Sequence, residues 1–120
     1  MKATLSNYNQ SPRKVRLLAD LIRGKQVAKA LVELSMVAKK ASLPIKKLIE
    51  SAVANANHNN DNNLSNLNLI IKEIKIDKGL TMKRWRARAR GRAAPIRHRT
   101  SHINILLAEQ DSTVNSKNNK

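Results

Sequence analysis

At 120 residues the chain has the length of one domain, enough for a modest core and too short for two independent ones. Lys and Arg number 24 against 8 Asp and Glu, a formal charge of +16 that points to a polyanionic partner, while 41% hydrophobic residues rule out a wholly disordered basic tail. The absence of cysteine excludes disulfides, thiol nucleophiles and thiolate metal sites, and fits a reducing compartment.

The start of the chain, Met1-Lys2-Ala3-Thr4-Leu5, carries no apolar run, and no window approaches the roughly 18 apolar residues of a membrane span. The expectation is a cytoplasmic protein that is neither exported nor membrane-embedded. Ala3 and Leu5 alternate with polar neighbours up to Tyr8, a short strand pattern.

Ser11-Pro12 reads as a helix start, with Ser able to cap free N–H groups and Pro at the first helical position, where no donor is needed. Val15, Leu18, Ala19 and Ile22 follow at helical spacing and Gly24 supplies the stop. Val27, Ala30, Leu31 and Leu34 repeat the spacing, predicting a second helix from about Gln26 to Val37. Ser42 and Pro44 open a third, whose stripe is Ile45, Leu48, Ile49, Ala52, Val53 and Ala56.

From Asn55 to Asn68 the chain is dominated by Asn, whose short amide competes with backbone ladders, so a loop is expected. Leu67, Leu69 and Ile71 then alternate, and Ile74 and Ile76 alternate in the opposite phase, which predicts a strand with a bulge near Lys72-Glu73 before Gly79. Ile103, Ile105 and Leu107 make a partner strand ending near Glu109. The sum is an α+β fold, three helices packed on a small antiparallel sheet, in a single domain over residues 1–110 with a disordered polar tail over 111–120.

Between Lys83 and Arg99 lie eight Lys or Arg and no acid, with Arg84, Arg86, Arg88, Arg90 and Arg92 at every second position. A strand would put those five on one face and Trp85, Ala87, Ala89 and Ala93 on the other, too small a set to build a core. Because the segment lies between two strands that must pair, it is expected to be a protruding β-hairpin arm over residues 80–100 with Gly91 near its tip. A dozen residues outward reach roughly 40 Å, against a radius of gyration of about 13 Å for a 100-residue globule.

Arginines about 7 Å apart on one face repel by roughly 0.6 kcal/mol per pair in water, with little burial to offset it. RNA reverses that balance, since each guanidinium can fork onto phosphate oxygens and each neutralised phosphate releases counterions. Ala and Gly between the arginines leave clearance for nucleic acid, and Trp85 can stack on a base. A second basic set, Arg13, Lys14, Arg16 and Arg23, marks the first helix.

The bland alternative for such a run is a solvated linker or address signal, which the flanking strands and strict alternation oppose. His98 and His102 are four apart but sit in or beside a strand with no Cys or acidic cluster near, so no metal site is expected and His98 is read as an RNA contact. There is no Gly-rich phosphate loop, nucleophile elbow or carboxylate pair, hence no enzyme and no cofactor. A free-standing regulator laying the arm into a duplex groove stays open as a rival; a membrane-surface protein is disfavoured because charge is densest where apolar residues are fewest.

Two motifs carry a resemblance to a known family. They are Ser11-Pro12-Arg13-Lys14-Val15-Arg16 with Leu21-Ile22-Arg23-Gly24-Lys25, and Met82-Lys83-Arg84 through Arg88-Ala89-Arg90-Gly91-Arg92-Ala93 to Arg99-Thr100-Ser101-His102-Ile103; Ala54-Asn55-Ala56-Asn57-His58-Asn59 adds to them. Over about residues 3 to 109 the chain resembles the bacterial L twenty-two family of large-subunit ribosomal proteins.

The resemblance implies a body at the outer surface near the polypeptide exit, an arm lining the tunnel wall beside ribosomal protein L four, and early assembly with large-subunit ribosomal RNA. It implies contacts with other ribosomal proteins and the nascent polypeptide, and no homo-oligomer is expected. The RNA-binding set is then Arg13, Lys14, Arg16, Arg23, Lys83, Arg84, Trp85, Arg86, Arg88, Arg90, Gly91, Arg92, Arg97, His98 and Arg99. The chain departs from the family at Trp85, where a smaller apolar residue or Phe is usual, and at Ala94-Pro95, where a charged pair is common. A kink near Pro95 is therefore expected.

Overall fold

The computed structural model describes residues 1–59 and 69–109; Leu67, the Asn-rich stretch from 60 to 68 and the polar tail lie outside the described residues. In chain order the elements are strand β1 (Lys2–Tyr8), helices α1 (Pro12–Ile22), α2 (Val27–Met36) and α3 (Ser42–Asn59), strand β2 (Leu69–Ala87), a 3₁₀ turn over Ala89–Gly91, and strand β3 (Ala93–Glu109).

Each helix forms where its apolar spacing demands. In α1 Val15, Leu18, Ala19 and Ile22 are buried, behind Pro12 at the first position. The expected Ser11 side-chain cap is not made; the Ser11 carbonyl instead accepts from the Lys14 and Val15 N–H groups at 3.1 and 3.3 Å. Gly24, at φ +73°, ends the helix in the left-handed region, and its N–H donates to the Ile71 carbonyl at 3.0 Å. The helix stop thus also docks the chain onto the sheet.

Helix α3 runs through Asn55 to Asn59, where a loop was expected to begin. Ala52, Val53 and Ala56 continue its buried stripe, and the Asn55 side-chain amide donates to the Lys2 carbonyl at 3.3 Å. Packing therefore overrides the turn preference of asparagine.

The sheet is antiparallel in the order β1-β3-β2. Ala3, Leu69, Ile71, Ile74, Ile76, Ile103, Ile105 and Leu107 are buried in one cluster with the helix stripes. Ile71 pairs with Leu107 and Glu73 with Leu106, so Lys72 is an extra residue on β2. This is the expected bulge. It explains why Leu69 and Ile71 before it, and Ile74 and Ile76 after it, all reach the same core.

Past the body β2 and β3 continue as a two-stranded arm, paired from Thr81 opposite Arg99 to Ala87 opposite Ala93. The molecule measures 67 × 38 × 21 Å with a radius of gyration of 18.5 Å.

Candidate nucleic-acid interface

The arm's root is built on two further extra residues. One lies on β1 between Leu5 and Tyr8, opposite Ile103 and Ser101; the other lies on β2 between Lys78 and Thr81, opposite Ser101 and Arg99. Bulges bend and overtwist a ribbon, so a pair flanking Ser101 re-aims the arm as it leaves the body. On the β1 side Asn7 takes φ +55° and its N–H donates to His102 Nδ1 at 3.1 Å.

Along the arm, residues directly opposite share a face. Arg84 and Arg86, with Met82, Ile96, Ala94 and His98, form one face; Lys83, Trp85 and Ala87, with Arg97, Pro95, Ala93 and Arg99, form the other. The expected single row of five arginines does not form. Strand β2 ends at Ala87, and Arg90 (φ +60°) and Gly91 (φ +68°) reverse the chain in the left-handed region. Period-two alternation ends where the turn begins, so Arg88, Arg90 and Arg92 ring the tip.

Strand β3 passes through Pro95 without a break, against the expected kink. The reason lies in the ladder. The Arg88 N–H donates to the Arg92 carbonyl at 2.7 Å, which makes that facing pair hydrogen-bonded. Alternation then makes the Trp85/Pro95 pair non-hydrogen-bonded, with its main-chain groups directed away from the partner strand. Proline sits there at no cost to the ladder.

The cations are bare. Lys83, Arg84, Arg86, Arg88, Arg90, Arg92, Arg97, His98 and Arg99 are all exposed, as is Gly91, and Trp85 is 70% exposed. Among the described residues none of the arm's cations has an acidic partner; Arg84 reaches only the Lys83 carbonyl at 3.0 Å and the Met82 sulfur at 4.0 Å. His98 and His102, four residues apart on one strand, are separated by about 13 Å and cannot share an ion.

The first-helix set divides by role. Arg16 Nη2 donates to the Ile76 carbonyl at 3.1 Å and Arg23 Nη2 to the Ile74 carbonyl at 3.4 Å, while Arg23 Nη1 pairs with Asp20 at 3.0 Å. Both carbonyls lie on the outer edge of β2, and the Ile71 N–H donates to Lys25 O at 2.9 Å on the same edge. Arg16 and Arg23 therefore cover an exposed sheet edge as well as carrying charge. The sequence reading missed this, because strand order alone reveals β2 as an edge.

As α1 advances from Arg16 to Arg23 its contacts move back along β2, so its start lies nearest the arm's root. Arg13 and Arg16, one helical turn apart, carry the basic surface towards Lys78, an exposed root cation also missed from sequence. Lys14 is turned to the other flank, beside a groove of about 440 Å³ lined by Leu17, Leu21, Val37 and Lys39.

A small α+β body holding a bare cationic hairpin away from itself is the build of a protein that works inside a ribonucleoprotein particle. Residues 3–108 match the family described as Ribosomal protein L22p/L17e. A relative, the large ribosomal subunit protein uL22 of Macrococcus caseolyticus (strain JCSC5402), is 47% identical over 110 residues, covering 92% of this chain and 87% of that protein. The chain belongs to the ribosomal protein L22p/L17e family. It is a structural, non-enzymatic constituent of the large subunit of the cytoplasmic ribosome.

Proposed function

We propose that this subunit constituent binds large-subunit ribosomal RNA through its arm and first helix and supports early subunit assembly, with its body near the tunnel exit and its arm along the tunnel wall beside the nascent polypeptide. The observation that carries this is an exposed arm whose cations have no acidic partner among the described residues. Like charges so arranged are tolerated at modest cost in water and rewarded only beside a polyanion.

In this reading Arg84, Arg86, Arg88, Arg90 and Arg92 take phosphates at mid-arm and tip, with Gly91 permitting the reversal. Lys83, Arg97 and Arg99 serve the opposite face, His98 adds a ring donor and Trp85 a stacking surface. Arg13, Lys14, Arg16 and Arg23 extend the footprint over the body. The protein acts as a single copy among other ribosomal proteins.

Sucrose-gradient fractionation of lysate at moderate and high salt, following the chain by mass spectrometry, tests this. Stoichiometric retention in large subunits after the wash is expected. Release into the soluble fraction would overturn the reading in favour of a free regulator.

A further inference from the structure

The two long edges of the arm are unequal. Strand β3 has no extra residue of its own, so one alternation runs its whole length. It is fixed at the body end by Met1 and Leu107, which exchange both main-chain bonds at 2.9 and 2.8 Å, and at the tip by the Arg88 to Arg92 bond. Both place the main-chain groups of β3's odd-numbered arm residues on its outer side. Proline occupies one of these positions, Pro95, and removes the donor at the middle of that edge.

The outer edge of β2 differs. In the body it is covered by backbone at Ile71 and by the guanidinium groups of Arg23 and Arg16 at Ile74 and Ile76. In the arm the outward groups belong to Lys83, Trp85 and Ala87; the Lys83 carbonyl accepts from Arg84 Nη1 at 3.0 Å, and among the described residues nothing covers the others. Charge follows the same asymmetry: Arg84 and Arg86 stand on β2, whereas the four residues opposite, from Ala93 to Ile96, carry none.

We propose that the outer edge of β2 at Lys83, Trp85 and Ala87 is where RNA lays its sugar-phosphate backbone. The outward N–H groups donate to phosphate oxygens and the outward carbonyls accept from ribose 2′-hydroxyls. RNA satisfies both halves of a strand edge, since it offers an anionic acceptor and a hydroxyl donor on one backbone. The flanking arginines supply charge on the same side, so the stretch of the β3 edge from Ala93 to Ile96, which carries none, is turned from the RNA strand. This rests on the arm being the RNA-binding element, and deepens it by naming the strand and the main-chain groups.

Ala87 and Ala93 face each other, are both exposed, and both direct their N–H outward, which allows a matched test. Binding of the full chain to a transcript of large-subunit ribosomal RNA is measured for Ala87→Pro and Ala93→Pro, each losing one outward donor and no ladder bond. Ala87→Pro is expected to weaken binding about ten-fold and Ala93→Pro less than about two-fold. Hydrogen exchange on the unaltered chain gives the same answer without a variant: on adding the transcript the Trp85 and Ala87 amides become protected while Ala93 and Arg97 do not change.

Equal effects of the two prolines, or equal protection of both edges, overturn the proposal. A combined Arg84→Ala, Arg86→Ala, Arg88→Ala variant separates the two levels. If it loses binding while the prolines stay equal, only the edge assignment fails; if it binds as the parent does, the arm itself is not the RNA-binding element.

Discussion

At the root of the arm the Thr100 hydroxyl closes over the bare α-carbon of Gly79 and donates to the Leu80 carbonyl at 2.8 Å. A β-carbon at position 79 would collide with Thr100 Oγ1 and lie 3.2 Å from both His102 Nε2 and the Thr100 carbonyl carbon. Gly79→Ala therefore forces Thr100 to rotate and give up its bond, at a cost of about 1–3 kcal/mol. Denaturant unfolding of the isolated chain reads this. An unchanged midpoint would mean that the root relaxes freely and does not fix the arm.

Ser101 is fully buried between the two root bulges, and among the described residues its hydroxyl finds no hydrogen-bond partner. An orphaned buried hydroxyl costs about 1–3 kcal/mol of desolvation, which an apolar side chain of similar size avoids. Ser101→Ala should raise stability by about 1 kcal/mol, seen as a higher unfolding midpoint. A loss of stability would reveal a partner for the hydroxyl, such as a trapped water.

The elements whose signal is periodic were legible in the sequence. The switch of phase between Ile71 and Ile74 announces the Lys72 bulge, because one core must receive both sets. What could not be read depends on strand order or on turn geometry. Arg16 and Arg23 look like solvent-facing cations until β2 is known to be an edge, and their carbonyl contacts follow only from that. The row of five arginines was misread because Arg90 adopts a left-handed conformation uncommon for a residue with a Cβ, so spacing alone could not show where the strand stops. Pro95 was expected to kink the chain because spacing does not tell which way its nitrogen points.

The divided roles on α1 lead to a paired prediction. Arg16 holds the Ile76 carbonyl, whereas Arg13, also exposed, has no such bond among the described residues. Arg16→Ala should lower both stability and RNA affinity, the stability loss staying at or below about 1 kcal/mol because the freed carbonyl returns to water. Arg13→Ala should lower affinity alone. Thermal unfolding and equilibrium RNA binding on the same preparations separate the two, and a stability loss in Arg13→Ala equal to that in Arg16→Ala would remove the distinction.

Charge and fork geometry on the arm can be separated by salt. If Arg84, Arg86 and Arg88 each neutralise a phosphate, each Arg→Ala substitution should reduce the slope of log affinity against log salt by about 0.7–0.9, the loss of one released counterion. Arg→Lys retains the charge but replaces a planar two-pronged donor with a single ammonium. The lysine variants should therefore keep the parent slope while binding more weakly at every salt concentration. Stability should not register any of these changes, since the three side chains are exposed and outside the core. Binding titrations at four or five salt concentrations give slope and affinity together. A slope unchanged by alanine at all three positions would mean that these arginines stand away from phosphate, and a slope lowered as much by lysine as by alanine would mean that position rather than charge sets their contribution.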